Sequence, residues 1–237
     1  MSPINAKLQA VRARIEAASH ATNAGSRRIR PVTLIAVSKT QPAALVRDAF
    51  AAGQRVFGEN YVQEAVAKQA ELADLAIEWH FIGPIQSNKT RLIAGHFDWV
   101  HGVERMKVAE MLSRHRGESH PGDPLNVLVQ VNVSGEATKR GVVPAEAAEL
   151  VRAAASLANI RMRGLMTLIE NVTDPEAQRA QFRMLRELFD RIRAAGTELD
   201  TLSMGMTQDF EVAIAEGATL VRIGTALFGA RTPKEAA

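Results

Sequence analysis

At 237 residues and 46% hydrophobic content, the chain can fill one large core, and α/β barrels commonly reach this length as single domains. Its formal net charge is only +3, and arginines between Arg179 and Arg193 alternate with acids, which argues for a solvated, ion-paired face and against a nucleic-acid footprint. The chain has no cysteine, which removes disulfide and thiolate chemistry, and no apolar run approaches the ~18–20 residues of a membrane span.

The opening segment, MSPINAKLQAVRARIEAASH, lacks a signal-peptide core and has the apolar spacing of an amphipathic helix. Without a secretion signal the sequons at Asn132 and Asn171 carry no glycosylation meaning, and a cytoplasmic protein is the simplest reading. β-Branched runs then recur at Thr33–Val37, Arg55–Gly58, Trp79–Ile82, Trp99–Gly102, Asn126–Asn132, Arg161–Met166, Thr201–Met204 and Leu220–Ile223. Helical patterns fill the intervals near 42–52, 60–74, 87–95, 104–116, 144–157, 174–195 and 208–216. Eight strand–helix units in a chain this short predict a closed (β/α)8 barrel, a TIM barrel with an extra N-terminal helix, over an open doubly wound sheet. No GxGxxG or P-loop follows the first strand, and no linker composition divides residues 1–237, so the chain reads as one domain.

In such barrels function gathers where strands end. Lys39 follows the apolar run VTLIAVS. An ordinary strand-end lysine snorkels to solvent. At a barrel mouth, desolvation instead favours the free amine, a nucleophile that forms Schiff bases with carbonyls. After strands seven and eight, SMGMTQDF and RIGTALFG place the hydroxyls of Ser203 and Thr225 and the glycines Gly205 and Gly224 where barrels often hold phosphate, with Thr207 as a cap for the next helix; two capped connections without a ligand are the plain alternative. Arg222, flanked by apolar residues in the last strand, needs a partner, either Glu59 or another acid in a structural pair, or a ligand acceptor in the mouth. Asn60 either contacts a ligand or caps the helix expected from Tyr61, and His80 reads more simply as a core or rim residue. Asp209 and Glu211 suit a helix first turn. The histidines show no metal-ligand spacing, and neither GxSxG nor HExxH occurs.

The segments AVSKT, FGENYVQEA, WHFIGPIQSNK, VNVSGEATKRGV, GLMTL, SMGMTQDF and VRIGTALFG, spread in order over residues 30–231, resemble the signature segments of the pyridoxal phosphate homeostasis proteins, single-domain relatives of the alanine racemase barrel. The resemblance implies pyridoxal 5′-phosphate held as a Schiff base on Lys39, phosphate contacts from Ser203, Gly224 and Thr225, and Arg222 facing the pyridine nitrogen. It implies that Asn60, His80 and Met166 line the cofactor. An arginine opposite that nitrogen disfavours its protonation and weakens the ring as an electron sink. Alanine racemase compensates with a tyrosine from a second domain, which is not expected here; the single tyrosine, Tyr61, suits a rim. The implied protein is therefore a non-catalytic carrier or buffer in vitamin B6 homeostasis, compatible with a monomer, with pyridoxal-phosphate-dependent apoenzymes as potential recipients. A weak amino-acid racemase is the alternative, and a cofactor-free Schiff-base aldolase a more distant one.

Overall fold

Strand–helix alternation closes on itself. In the computed structural model, which describes residues 3–23, 31–136, 139–169 and 172–229, eight parallel strands form a closed barrel in chain order. The strands are β1 (Thr33–Val37), β2 (Val56–Glu59), β3 (Glu78–Phe81), β4 (Trp99–Val103), β5 (Leu125–Gln130), β6 (Ile160–Met166), β7 (Thr201–Ser203) and β8 (Leu220–Ile223). The helices are α1 (Pro3–Asn23), α2 (Ala43–Ala51), α3 (Val62–Glu71), α4 (Thr90–His96), α5 (Met106–Ser119), α6 (Pro144–Ala155), α7 (Pro175–Ala194), α8 (Phe210–Ala215) and the short α9 (Thr225–Phe228). Closure is made by β1 on β8, where Thr33 to Ala36 pair with Leu220 to Ile223.

Two apolar layers follow from the period-2 alternation of the strands. Ile35, Trp99, Leu128, Met166 and Leu220 fill the barrel interior. Their neighbours, such as Leu34, Ala36, Phe57 and Phe81, pack outward beneath the helices. Ile4, Leu8, Val11 and Ile15 recur at helical spacing on one buried face of α1, which packs on α2, α8 and α9. The register shifts between Val100 and Val103 and between Val127 and Leu128 show bulges of the kind that re-aim side chains near barrel sites.

The eight expected strands are all present; β1 and β8 have the expected ends, and the others are displaced by at most two residues. The expected helix at 60–74 is shorter, and the segment near 87–95 divides into a 3-10 turn over Ser87–Lys89 and α4. The arginines of α7 differ from a purely solvated face, because Arg179, Arg183 and Arg186 all reach the buried carboxylate of Glu216. Asn132 uses its amide to fold its own loop, accepting from Ser134 Oγ and Gly135 N, whereas Asn171 lies outside the described residues. Among the described residues no helix is long and apolar enough to cross a membrane.

Candidate functional site

The end of β1 is held with unusual completeness. Ser38 is buried and its N–H donates to Gly58 O at 3.0 Å. Lys39, half-buried, and Thr40 then form a turn closed by Gln41 N–H on Ser38 O at 3.0 Å. Thr40 has φ 62°, a left-handed conformation costly for a β-branched residue. Side chains from β2 and α3 hold the turn in place. Lys68 Nζ donates to Ser38 O at 2.8 Å and to Glu59 Oε1 at 2.6 Å, while Glu64 Oε1 accepts Thr40 N–H at 2.6 Å. Ser38 Oγ donates to Glu59 Oε1 at 2.7 Å. The peptide groups on both sides of Lys39 are therefore fixed by groups brought from elsewhere in the chain. Glu59 is fully buried; burial raises its pKa against the opposing pull of Lys68 and Ser38, and its Oε2 has no hydrogen-bond partner among the described residues.

Across the mouth, β6, β7 and β8 hold Arg222. It lies opposite Ile35 in the β1–β8 pairing, and its guanidinium donates to Ser203 Oγ at 2.6 Å and to Thr167 O at 2.8 Å. Burial lowers its pKa to about 10, with the Asp209 charge acting in the other direction, so it stays cationic at neutral pH. Asp209 is itself pushed up by burial and accepts Met206 N–H at 2.5 Å. That bond settles the segment after β7: Asp209 occupies the N-cap position of α8 and bonds outside the helix, and Thr207 does not cap it. Neither Glu59 nor another acid pairs directly with the guanidinium among the described residues; Glu59 is committed to Lys68 on the outer side of the sheet.

Two glycines are required here. A Cβ on Gly205, which has φ 94°, would fall 2.6 Å from Ala213 Cβ, and its carbonyl accepts Arg222 N–H at 3.0 Å. A Cβ on Gly83 would fall 2.2 Å from Asn60 O, so the loops after β2 and β3 touch backbone to backbone. Gly224 packs less tightly, a Cβ there falling 3.2 Å from Val37 O, which brings the turn before Thr225 beside the strand that leads to Lys39.

Inside the barrel a hydrogen-bonded chain crosses from β3 to β8. His80 Nε2 lies 2.7 Å from Glu78 Oε1, His80 Nδ1 lies 2.9 Å from His101 Nε2, and His101 Nδ1 lies 2.9 Å from Ser203 Oγ. The His80 ring stacks on Trp99 at 5.2 Å between centroids, 7° from parallel. Burial lowers the pKa of both imidazoles, that of His101 furthest, with His80 and Arg222 adding to the effect.

The structure thus brings Lys39, Gly224 and Thr225 together at one rim and sets Ser203 and Arg222 together just inside it. Met166 is opposite Ser203 in the sheet and belongs to the inner apolar cluster. Asn60 does not cap α3, which begins at Val62 after Tyr61; its buried Oδ1 has no hydrogen-bond partner among the described residues. His80 is not at the rim but fully buried beneath it, and Tyr61 is 53% exposed. His101, Thr167, Glu64 and Lys68 carry no site role in the sequence pattern, and Glu59, expected as a partner for Arg222, instead binds Lys68 and Ser38. Lys68 and Glu64 stand at i,i+4 in a helix that reads as surface, and only the fold buries the lysine.

Residues 7–232 match the family model of the alanine racemase N-terminal domain. A Pseudomonas aeruginosa protein named pyridoxal phosphate homeostasis protein is 57% identical over 231 residues, covering 98% of this chain and 97% of its own. PipY of Synechococcus elongatus, solved with PLP bound, superposes with a TM-score of 0.82 at 39% identity, covering 95% of this chain and all of that one. Alanine racemase from Corynebacterium glutamicum shares the fold at a TM-score of 0.66 and 17% identity, over 97% of this chain and 63% of its own.

Proposed function

The chain belongs to the alanine racemase N-terminal domain family, and from that premise we propose that it binds pyridoxal 5′-phosphate covalently through Lys39 and serves homeostasis of that cofactor without turnover of its own. The observation that carries this reading is the meeting of three features at one mouth: the fixed Lys39 turn, the buried cation of Arg222 and the Gly224–Thr225 turn packed on Val37. The residues fit the group chemically. An amine suits its aldehyde, backbone N–H groups and a cation suit its anionic and ring acceptors, and the orphaned buried Oδ1 of Asn60 suits a ligand donor. The names of the relatives point the same way.

In this reading Gly224 and Thr225 hold the phosphate end, bordered by Ser203, and Arg222 faces the ring nitrogen. Asn60 and Met166 line the cofactor, and His80 supports it from below. When bound, the cofactor supplies an electrophilic carbonyl carbon and an electron-accepting ring. Arg222 disfavours protonation of the ring nitrogen and so limits that electron demand. His80 and His101 are buried and committed to one another, and Tyr61 stands out from the rim, so none of the three is placed as a second base in this arrangement. The protein acts as one domain over residues 1–237, in the cytoplasm, as a store from which apoenzymes draw cofactor.

Protein loaded with pyridoxal 5′-phosphate is expected to show visible absorbance that borohydride abolishes, with the reduced adduct located on Lys39 by peptide mass spectrometry. Absorbance that survives in Lys39→Ala overturns the site. Stereoinversion of L- or D-amino acids with α-deuterium incorporation in deuterated water, lost in Lys39→Ala, overturns the absence of turnover and favours a racemase.

A further inference from the structure

The directions of the hydrogen bonds inside the barrel follow from its two charged ends, the carboxylate of Glu78 and the guanidinium of Arg222. An ionised carboxylate can only accept, so His80 Nε2–H donates to Glu78, and the buried, neutral His80 then accepts at Nδ1 from His101 Nε2–H. His101 Nδ1 is then bare and accepts the Ser203 hydroxyl proton, while Ser203 Oγ accepts from Arg222, which can only donate. Every donor points the same way, from the cation under the mouth to an anion at the opposite end of the barrel. Both imidazoles are neutral with the proton on Nε2, in accord with their complete burial.

Glu78 is the first residue of β3, on the barrel's N-terminal face, and its side chain is 46% exposed. Removing its acceptor leaves His80 Nε2–H without a partner, and the least costly response is a change of tautomer. A changed His80 cannot accept from His101, and a turned His101 presents Nδ1–H to Ser203 Oγ, where it competes with the Arg222 guanidinium. Arg163 faces Glu78 electrostatically, Asp98 faces His80, and Arg222 faces His101. None of these substitutes for a direct acceptor at His80 Nε2. We propose that Glu78, His80 and His101 form a positioning relay through the barrel that fixes the hydroxyl of Ser203 and thereby the guanidinium of Arg222. Its consequence for cofactor binding rests on the functional reading above, but its geometry does not.

The test compares Glu78→Leu, which removes the acceptor, with Glu78→Gln, whose amide oxygen still accepts. Both changes are at a half-exposed position and leave the core packing in place. In cofactor-free protein, nitrogen-15 NMR of the side chains is expected to show Nε2–H tautomers at His80 and His101 in the wild type and in Glu78→Gln. In Glu78→Leu it is expected to show mixed tautomers, with faster hydrogen exchange at the Arg222 guanidinium. Retention of both wild-type tautomers and slow exchange in Glu78→Leu overturns the relay, whether or not the protein takes up pyridoxal 5′-phosphate. With that cofactor as the probe, the dissociation constant is expected to rise about tenfold in Glu78→Leu and to stay within about twofold in Glu78→Gln. Scrambled tautomers with unchanged affinity overturn the positioning role. Failure of the wild type to bind overturns the functional reading instead and leaves the NMR result to decide the relay.

Discussion

Replacing Lys68 with methionine tests how the Lys39 turn is held. Methionine keeps the length and apolar stem of lysine but deletes the bonds to Ser38 O, Glu59 Oε1 and Glu64 Oε1. Glu59 is left fully buried with Ser38 Oγ as its remaining partner, and Ser38 O loses its side-chain donor. Breaking a buried ion pair from one side costs about 3–5 kcal/mol. With a urea slope of about 2–3 kcal/mol/M, the midpoint should fall by roughly 1–2.5 M. The pH dependence has a definite sign. Glu59 is raised in the folded protein above its ordinary value near 4.5, so its contribution is complete below that value and is lost as pH rises through the folded one. Without Lys68 the folded value rises further, so the deficit of Lys68→Met should be small near pH 4.5 and largest near pH 8. The double variant Glu59→Leu/Lys68→Met, which buries no charge, should recover much of the loss and retain about 1–3 kcal/mol for the unpartnered Ser38 groups. A deficit below about 1 kcal/mol at pH 8, or one equal at pH 5 and pH 8, refutes the reasoning.

Three further outcomes are expected. Gly83→Ala forces a methyl against the backbone oxygen of Asn60, which cannot rotate away, and should cost about 1–3 kcal/mol or more in urea unfolding while weakening cofactor uptake. Glu216→Ala removes the carboxylate shared by Arg179, Arg183 and Arg186 and should cost about 1–3 kcal/mol. In calorimetry that should lower the midpoint by about 2–4 °C per kcal/mol, and an unchanged midpoint would show the three contacts to be inert. Arg222→Lys cannot serve Ser203 Oγ and Thr167 O with one planar fork and should bind pyridoxal 5′-phosphate about tenfold more weakly by absorbance titration, whereas equal affinity would show that any cation suffices.

The barrel was legible in the sequence because its signals are local. Apolar β-branched runs at regular intervals, separated by helical patterns, make strand–helix units, and eight of them have few ways to close. The position of Lys39 at the end of such a run, and of the Gly224–Thr225 turn after another, is equally local, so those residues could be read before any contact was known. The elements that misread were those whose ends depend on neighbours: α3 starts at Val62 because the chain at Asn60 must touch Gly83, and α8 starts after Asp209 because that carboxylate is drawn to Met206 N–H.

What the sequence determined by itself is the barrel, its order and the lysine at its mouth, since each rests on periodicity or on a strand's own end. Tertiary structure alone decided which polar groups meet. His101 and Ser203 are 102 residues apart and Lys68 and Ser38 are 30 apart, and each pair exists because closed parallel pairing and register bring their strands and helices side by side. No local pattern encodes such a meeting, because a polar side chain in the barrel must find its partner from another strand or lose the free energy of an unmade hydrogen bond.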